Sequence, residues 1–228
     1  PVFEAASPMP PLVLCQNGWG NAEIFAARLP RDRIFNARII TGFRRHAANA
    51  VEVTVHADAI RMGSLFGADP ACLAPLCTAI SRGGIPCEIS HEIGQELWAK
   101  VLYNGLLNPL GALTRAPYGA LGERAETRAI LHELAHEIFA VMQAAGFRSR
   151  WPSARAYLES FYAELLPATA RHESSMLQDL RAGRPTEIDS LCGELARLGH
   201  RHGVETPLCD ALTCLIHAAE ARGPERGV

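Results

Sequence analysis

Lysine is almost missing from this chain. Of 22 basic residues, 21 are Arg and one, Lys100, is Lys. Basic excess is missing too: the formal net charge is −2. Nucleic-acid binding draws on clustered Lys and Arg, so that class of partner is not expected. No run of 18 apolar residues occurs, which excludes a membrane-spanning helix. The first residues, Pro1-Val2-Phe3-Glu4-Ala5, lack a basic n-region and an h-region, so no secretory leader is expected. They also lack Met, as in a processed or cut-down chain. The seven cysteines are odd in number and contain no CxxC pair. This excludes a zinc knuckle and argues for free thiols in a reducing, cytoplasmic compartment, where Cys acts as a small buried hydrophobe.

What is present suffices for a sizeable core: 228 residues, 48% of them hydrophobic. Pro11 to Cys15 reads as a short buried strand, followed by the turn-rich Gln16-Asn17-Gly18-Trp19-Gly20-Asn21. Asn21 is placed to N-cap a helix from Ala22 to Arg28. Strands are expected at Arg38–Phe43, Val51–His56, Ala59–Met62 and Cys87–Ile89. Asp69-Pro70 opens a helix that Gly83-Gly84 ends. From Glu92 the pattern turns helical throughout, over about 92–115, 124–145, 153–165, 173–181, 187–202 and 207–221. The expectation is a mainly α chain with a smaller α/β part: a partial Rossmann-type sheet in residues 1–91, then an all-helical domain in 92–228.

Gly18-Trp19-Gly20 follows a strand and precedes a helix, the context of a dinucleotide fingerprint. The third glycine of G-x-G-x-x-G is Glu23 here, whose carboxylate repels a pyrophosphate. The segment therefore reads as a tight turn. His132-Glu133-Leu134-Ala135-His136 matches H-E-x-x-H, so zinc hydrolysis is a remote alternative, with Glu159 as an imaginable third ligand. The plainer reading is an amphipathic helix, with Leu131, Leu134, Ile138 and Val141 as its apolar face.

The helix near 92–115 is more informative. Lys100, Asn104 and Asn108 are spaced four apart, and each step of four turns the helix by only about 40°, so they line one stripe. Leu97, Val101, Leu102, Leu106, Leu107 and Leu110 surround them, as in a buried helix whose polar stripe faces a cavity. Pro109 is expected to remove a backbone hydrogen bond and kink this helix. A lone Lys in an Arg-rich chain suits a site where the charge must be able to leave as a proton. Further on, Thr186 to Asp189 opens a helix, with Glu187 in its first turn.

Four stretches together resemble the ketopantoate reductase family (2-dehydropantoate 2-reductase, the NADPH-dependent step of pantothenate biosynthesis). They are Leu14 to Gly18, Trp98 to Asn104 with Asn108-Pro109-Leu110, Ser174 to Asp179, and Gly183 to Asp189. The resemblance implies that Lys100 is the general acid protonating the ketone oxygen as hydride arrives. It implies that Glu187 binds the substrate hydroxyl, and that Asn104, Asn108 and Ser175 hold the substrate. Asn17 matches a residue at the junction of cofactor and substrate. The implied cofactor is NADPH, the implied partner a small 2-oxoacid, and the implied assembly a homodimer. The family's first strand, Gly-rich turn and helix have no counterpart here, by on the order of two βαβ units. Tyr118, His172 and Cys192 stand where the family pattern has Asn, which bears on the 2-oxoacid taken. The alternative is a non-catalytic remnant acting as a dimeric or ligand-binding helical module.

Overall fold

The computed structural model describes residues 9–223, apart from the side chains at 45 and 55. The stretch at 1–5, read above for a leader, lies outside them. Two compact units are present. Of the described residues, one contains those up to Gln16 and Gly20–Leu97; the other contains Asn17–Trp19 and those from Trp98 onward.

The first unit is built on a four-stranded sheet. Its strands are β1 (Leu12–Leu14), β2 (Ile34–Arg38), β5 (Ile60–Gly63) and β6 (Cys87–Ile89), in the order β1-β2-β5-β6. β1 runs parallel to β2, β5 antiparallel to β2, and β6 parallel to β5. Phe35, Ala37, Ile60 and Met62 pack with Leu73, Cys77 and Cys87 into one apolar cluster. The Cys87 thiol is pushed up to about 12 by burial and by the neighbouring Cys77 thiol, so it stays protonated. All seven cysteines are free.

Between β2 and β5 in sequence, β3 (Thr41–Ala47) and β4 (Ala50–His56) form a separate antiparallel pair. The strand expected over 38–43 is thus divided. The chain changes partner there, from β5 to β4, after Arg38 turns its guanidinium to Asp58 and Glu96. Asp69 caps as expected: its Oδ1 accepts from Ala71 N–H at 3.0 Å, with Pro70 starting a 3-10 turn ahead of α2 (Ala74–Arg82). Asn21 does not cap. Helix α1 is Asn21–Ala26, and the cap position belongs to Gly20 in the left-handed region, without a side-chain bond.

Helix α3 (Ile93–Thr114) begins in the first unit and continues in the second. It runs on through Pro109, so one missing N–H does not end a helix so fully enclosed by Leu106, Leu107 and Leu110. There follow α4 (Tyr118–Glu123), α5 (Ala125–Ala144), α6 (Ala154–Ser160), a π turn at Phe161–Leu165, α7 (Leu166–Ala168), α8 (Ser175–Arg181), α9 (Cys192–Arg201) and α10 (Pro207–Glu220). α5, α9 and α10 pack on one another, and Leu131, Leu134, Ile138, Leu195 and Ile216 within them are fully buried. The single helix expected over 187–202 is broken. Ile188–Ser190 is a 3-10 turn, Leu191 departs from helical geometry at φ −105° and ψ −105°, and α9 starts afresh at Cys192. Among the described residues no helix is long and apolar enough to cross a membrane.

Candidate active site

The six residues singled out in the sequence all lie within the second unit. Three residues from the start of the chain belong to it, and their turn is fastened at two points. Trp19 N–H donates to Ser190 O at 2.8 Å. The Trp19 ring is buried against Trp98 (centroids 4.5 Å apart) and edge-on to Phe147 (4.8 Å). Aromatic pairs at such spacing add to their area burial, so this ring is a strong anchor. Gly18 makes the approach feasible. Its φ is +88°, and a Cβ there would stand 2.0 Å from Ser190 O.

The turn so fixed delivers Asn17 to Glu187. The Asn17 Nδ2 donates to both carboxylate oxygens, at 3.1 and 2.9 Å, across 170 positions of sequence. Glu187 precedes the 3-10 turn rather than opening α9. Thr186 Oγ1 accepts from Ile188 N–H at 3.3 Å, and Ser190 N–H donates to Glu187 O at 3.1 Å. Both ends of the Asn17 turn therefore meet segments that carry candidate site residues. Trp98, its aromatic partner, lies two residues before Lys100; Ser190, its backbone partner, lies three after Glu187.

On α3 the polar stripe descends into the unit. Lys100 and Asn104 are half-buried, one turn apart, and Asn108 is only 4% exposed. At the buried end, Tyr118 Oη donates to Asn108 Oδ1 at 2.6 Å. Burial, and then the neighbouring Tyr103, drive the Tyr118 hydroxyl well above its ordinary range, so it remains a donor. Tyr118 thus takes the carbonyl end of the Asn108 amide. Its backbone is fixed in turn, with Tyr118 N–H on His172 O at 3.0 Å. Two of the departures from the family pattern, Tyr118 and His172, therefore pack together at the foot of the stripe, their rings 5.2 Å apart. The third, Cys192, sits against Gly105 O at 3.8 Å and next to the Cys209 thiol, whose titration is driven up by that contact and by burial.

Ser175 is exposed and starts α8. The cap of that helix is its neighbour Ser174, fully buried, whose Oγ accepts from Leu177 N–H at 3.0 Å. The capping duty thus leaves the Ser175 hydroxyl to other partners. Of the six residues singled out in the sequence, hydrogen bonds unite Asn17 and Glu187, α3 aligns Lys100, Asn104 and Asn108, and Ser175 stands on a separate helix start. Trp19 and Ser190 are residues that sequence reasoning left without a role, and Tyr118 is one it noted only as a departure from the family pattern. A Trp inside a Gly-rich turn was the available signal for the first.

The zinc alternative does not hold. Among the described residues no group of three or more His, Cys, Asp or Glu is placed to hold a metal. His132 stacks on Tyr162 (5.5 Å), His136 is exposed, and Glu159 pairs with Arg155 at 3.0 Å. The turn after β1 likewise does not fit the diphosphate of a dinucleotide. Glu23 occupies the first turn of α1, and α1 is only six residues long.

A family model described as ketopantoate reductase PanE/ApbA C terminal matches residues 92–220. The 2-dehydropantoate 2-reductase of Aquifex aeolicus (strain VF5) is 35% identical over 210 residues, which are 92% of this chain and 67% of that protein. A PanE/ApbA family ketopantoate reductase from Ralstonia eutropha JMP134 superposes with a TM-score of 0.80 at 27% identity, covering 96% of this chain and 70% of that one. A D-mandelate dehydrogenase, solved with NADH and anilino(oxo)acetate, superposes with a TM-score of 0.83 over 97% of this chain and 71% of that one. At 23% identity that likeness concerns the fold alone. Fold, motif order and these matches agree: the chain belongs to the ketopantoate reductase family.

Proposed function

We propose that this chain carries the substrate-side machinery of an NADPH-dependent 2-oxoacid reductase, with 2-dehydropantoate reduced to pantoate. Residues 92–228 are assigned as the substrate and dimerisation domain, and 1–91 as the residual part of the nucleotide domain, in a cytoplasmic homodimer. The observation that carries the reading is the Asn17–Glu187 pair, held by a turn anchored beside the Lys100 segment. Reduction of a ketone builds negative charge on its oxygen. The Lys100 ammonium can stabilise that charge and give up a proton to it. The Glu187 carboxylate, steadied by Asn17, accepts a hydrogen bond from the substrate hydroxyl. Asn104 and Ser175 offer donors for the substrate carboxylate, and Asn108, oriented by Tyr118, closes the inner end. A nicotinamide cofactor supplies the hydride when bound. No phosphate cradle follows β1, so none of its contacts is assigned to these residues.

The test is calorimetry of the full chain with 2-dehydropantoate, followed by turnover with NADPH. Binding should be lost in Glu187→Ala. Lys100→Arg should keep binding but lose roughly 10²–10⁴-fold in turnover, because a guanidinium does not yield its proton. Turnover of Lys100→Arg near the parent level would refute the acid role. The misfit of the β1 turn favours one second reading, a helical module that binds the 2-oxoacid without reducing it. Tight substrate binding with no turnover at saturating NADPH selects that reading.

A further inference from the structure

The stretch bearing Glu187 has little regular structure of its own. Its own backbone bonds, from Ser190 N–H and Leu191 N–H to Glu187 O and from Leu191 N–H to Ile188 O, close one 3-10 turn, so a grip on the residues flanking Glu187 bears on where the carboxylate points. Two side chains of α10, three residues apart on one face, provide that grip. Glu220 Oε1 accepts from Thr186 N–H at 2.7 Å. Glu220 Oε2 lies 2.9 Å from His217 Nδ1, and His217 Nε2 lies 3.1 Å from Asp189 Oδ1. The contacts thus fall on residues 186 and 189, one on either side of Glu187. A neutral imidazole has one N–H and can donate to one of these carboxylates; only the imidazolium donates to both.

We infer that His217 is a positioning residue: through Glu220 and Asp189 it clasps the Thr186–Ser190 turn onto α10 and so fixes Glu187 opposite Asn17. This rests on the reading of Glu187 as a site carboxylate. Closure is complete in the geometry, because Ser190 O at the far end of the clasped turn is the acceptor for Trp19 N–H. Besides Glu220 and Asp189, α9 brings Arg197, whose Nη2 is 3.4 Å from Asp189 O, and α5 brings Glu137 to the opposite end of α10, on Leu208 and Cys209 N–H.

Protonation follows from the contacts. The bond to Glu220, opposed by slight desolvation and aided by Asp189, holds the His217 imidazolium above its ordinary 6.5. Burial works against the Glu220 charge, but the Thr186 N–H and His217 outweigh it and hold the carboxyl below its ordinary 4.5. A raised His favours the folded clasp fully below 6.5 and loses that contribution as pH climbs through the raised value. A lowered Glu does so above 4.5 and loses it as pH falls through the lowered value. The clasp is therefore closed around pH 6 and loosens in alkaline buffer.

Hydrogen exchange read by mass spectrometry on the full chain tests this. In His217→Gln at pH 6, peptides covering 186–191 and 17–19 should exchange at least tenfold faster than in the parent, with α3 and α5 unchanged. At pH 9, after correction for intrinsic rates, the difference should fall within twofold. Asp189→Asn should reproduce the pattern at smaller amplitude. In calorimetry at pH 6, His217→Gln should weaken 2-dehydropantoate binding about fivefold, and weaken it no further in a Glu187→Gln background. Unchanged protection of 186–191 at pH 6, or equal loss across α3 and α5, overturns the inference. If Glu187→Gln alone leaves the affinity intact, the site reading fails, and the exchange data still decide whether His217 holds the turn.

Discussion

The Arg38 network and the Asn17–Glu187 pair both hold a charged group in a buried or half-buried place, by different means. In the first unit Arg38, 6% exposed, meets Asp58 at 2.6 Å and Glu96 at 3.0 Å. Glu96 also accepts from Ser90 Oγ at 2.6 Å, and Arg61 approaches Glu88 and Glu96 at 3.3 and 3.6 Å. Cation and carboxylates neutralise one another, so the cluster fastens the end of β2. In the second unit Glu187 is steadied by an amide, which holds position without cancelling charge. A carboxylate held in that way keeps its capacity to bind a ligand. The shorter, more numerous ion pairs mark structure, and the gentler contact marks the candidate site.

Four substitutions or conditions would break or sharpen that contrast. Gly18→Ala should have the largest effect. Its Cβ would meet Ser190 O at 2.0 Å with φ at +88°, so a loss of about 3 kcal/mol is expected in urea unfolding, together with loss of 2-dehydropantoate binding. Arg38→Ala leaves Glu96 with only Ser90 and the more distant Arg61 and should cost about 2 kcal/mol, a buried-pair loss discounted for the half-exposed Asp58. Arg38→Met should recover part of this, and ligand affinity should not change in either variant. An equal loss of affinity would erase the distinction between the two clusters. Asn17→Ala removes two bonds to a charged group in a half-buried place. About 1–2 kcal/mol is expected in thermal unfolding, with a disproportionate drop in affinity. The smallest effect concerns acid. The Arg38 hydrogen bond holds the Asp58 carboxyl below its ordinary 3.8. Its stabilising contribution is complete above 3.8 and is lost as pH falls through the lowered value. The acid unfolding of Arg38→Met should lack that contribution.

Helices were legible in the sequence because their apolar period was strong. The Lys100, Asn104 and Asn108 stripe could be drawn from spacing alone, and α3 spans 93–114 against an expected 92–115. The break at Leu191 was not legible, since Ile188, Leu191, Leu195 and Leu198 continue a helical pattern through it. Yet Ser190, just ahead of that break, carries the carbonyl that receives Trp19 N–H. The split after Arg38 was hidden for a similar reason: Ile39 and Ile40 have strand propensity but no place in β2 or β3. Asn17 and Glu187 were named through family resemblance; no local pattern joins positions 170 apart. His217 carried no sequence signal, because a His near a helix C-terminus is ordinary on dipole grounds alone.

One practical consequence follows from three residues living apart from their neighbours in the chain. Anyone who excises the helical half by cutting ahead of residue 92 also discards Asn17, Gly18 and Trp19. The excised piece would bare the indole of Trp98 and the ring of Phe147, invite clumping, and leave the downstream acid without its companion amide. A soluble, competent miniature would need that tripeptide grafted back through a designed linker.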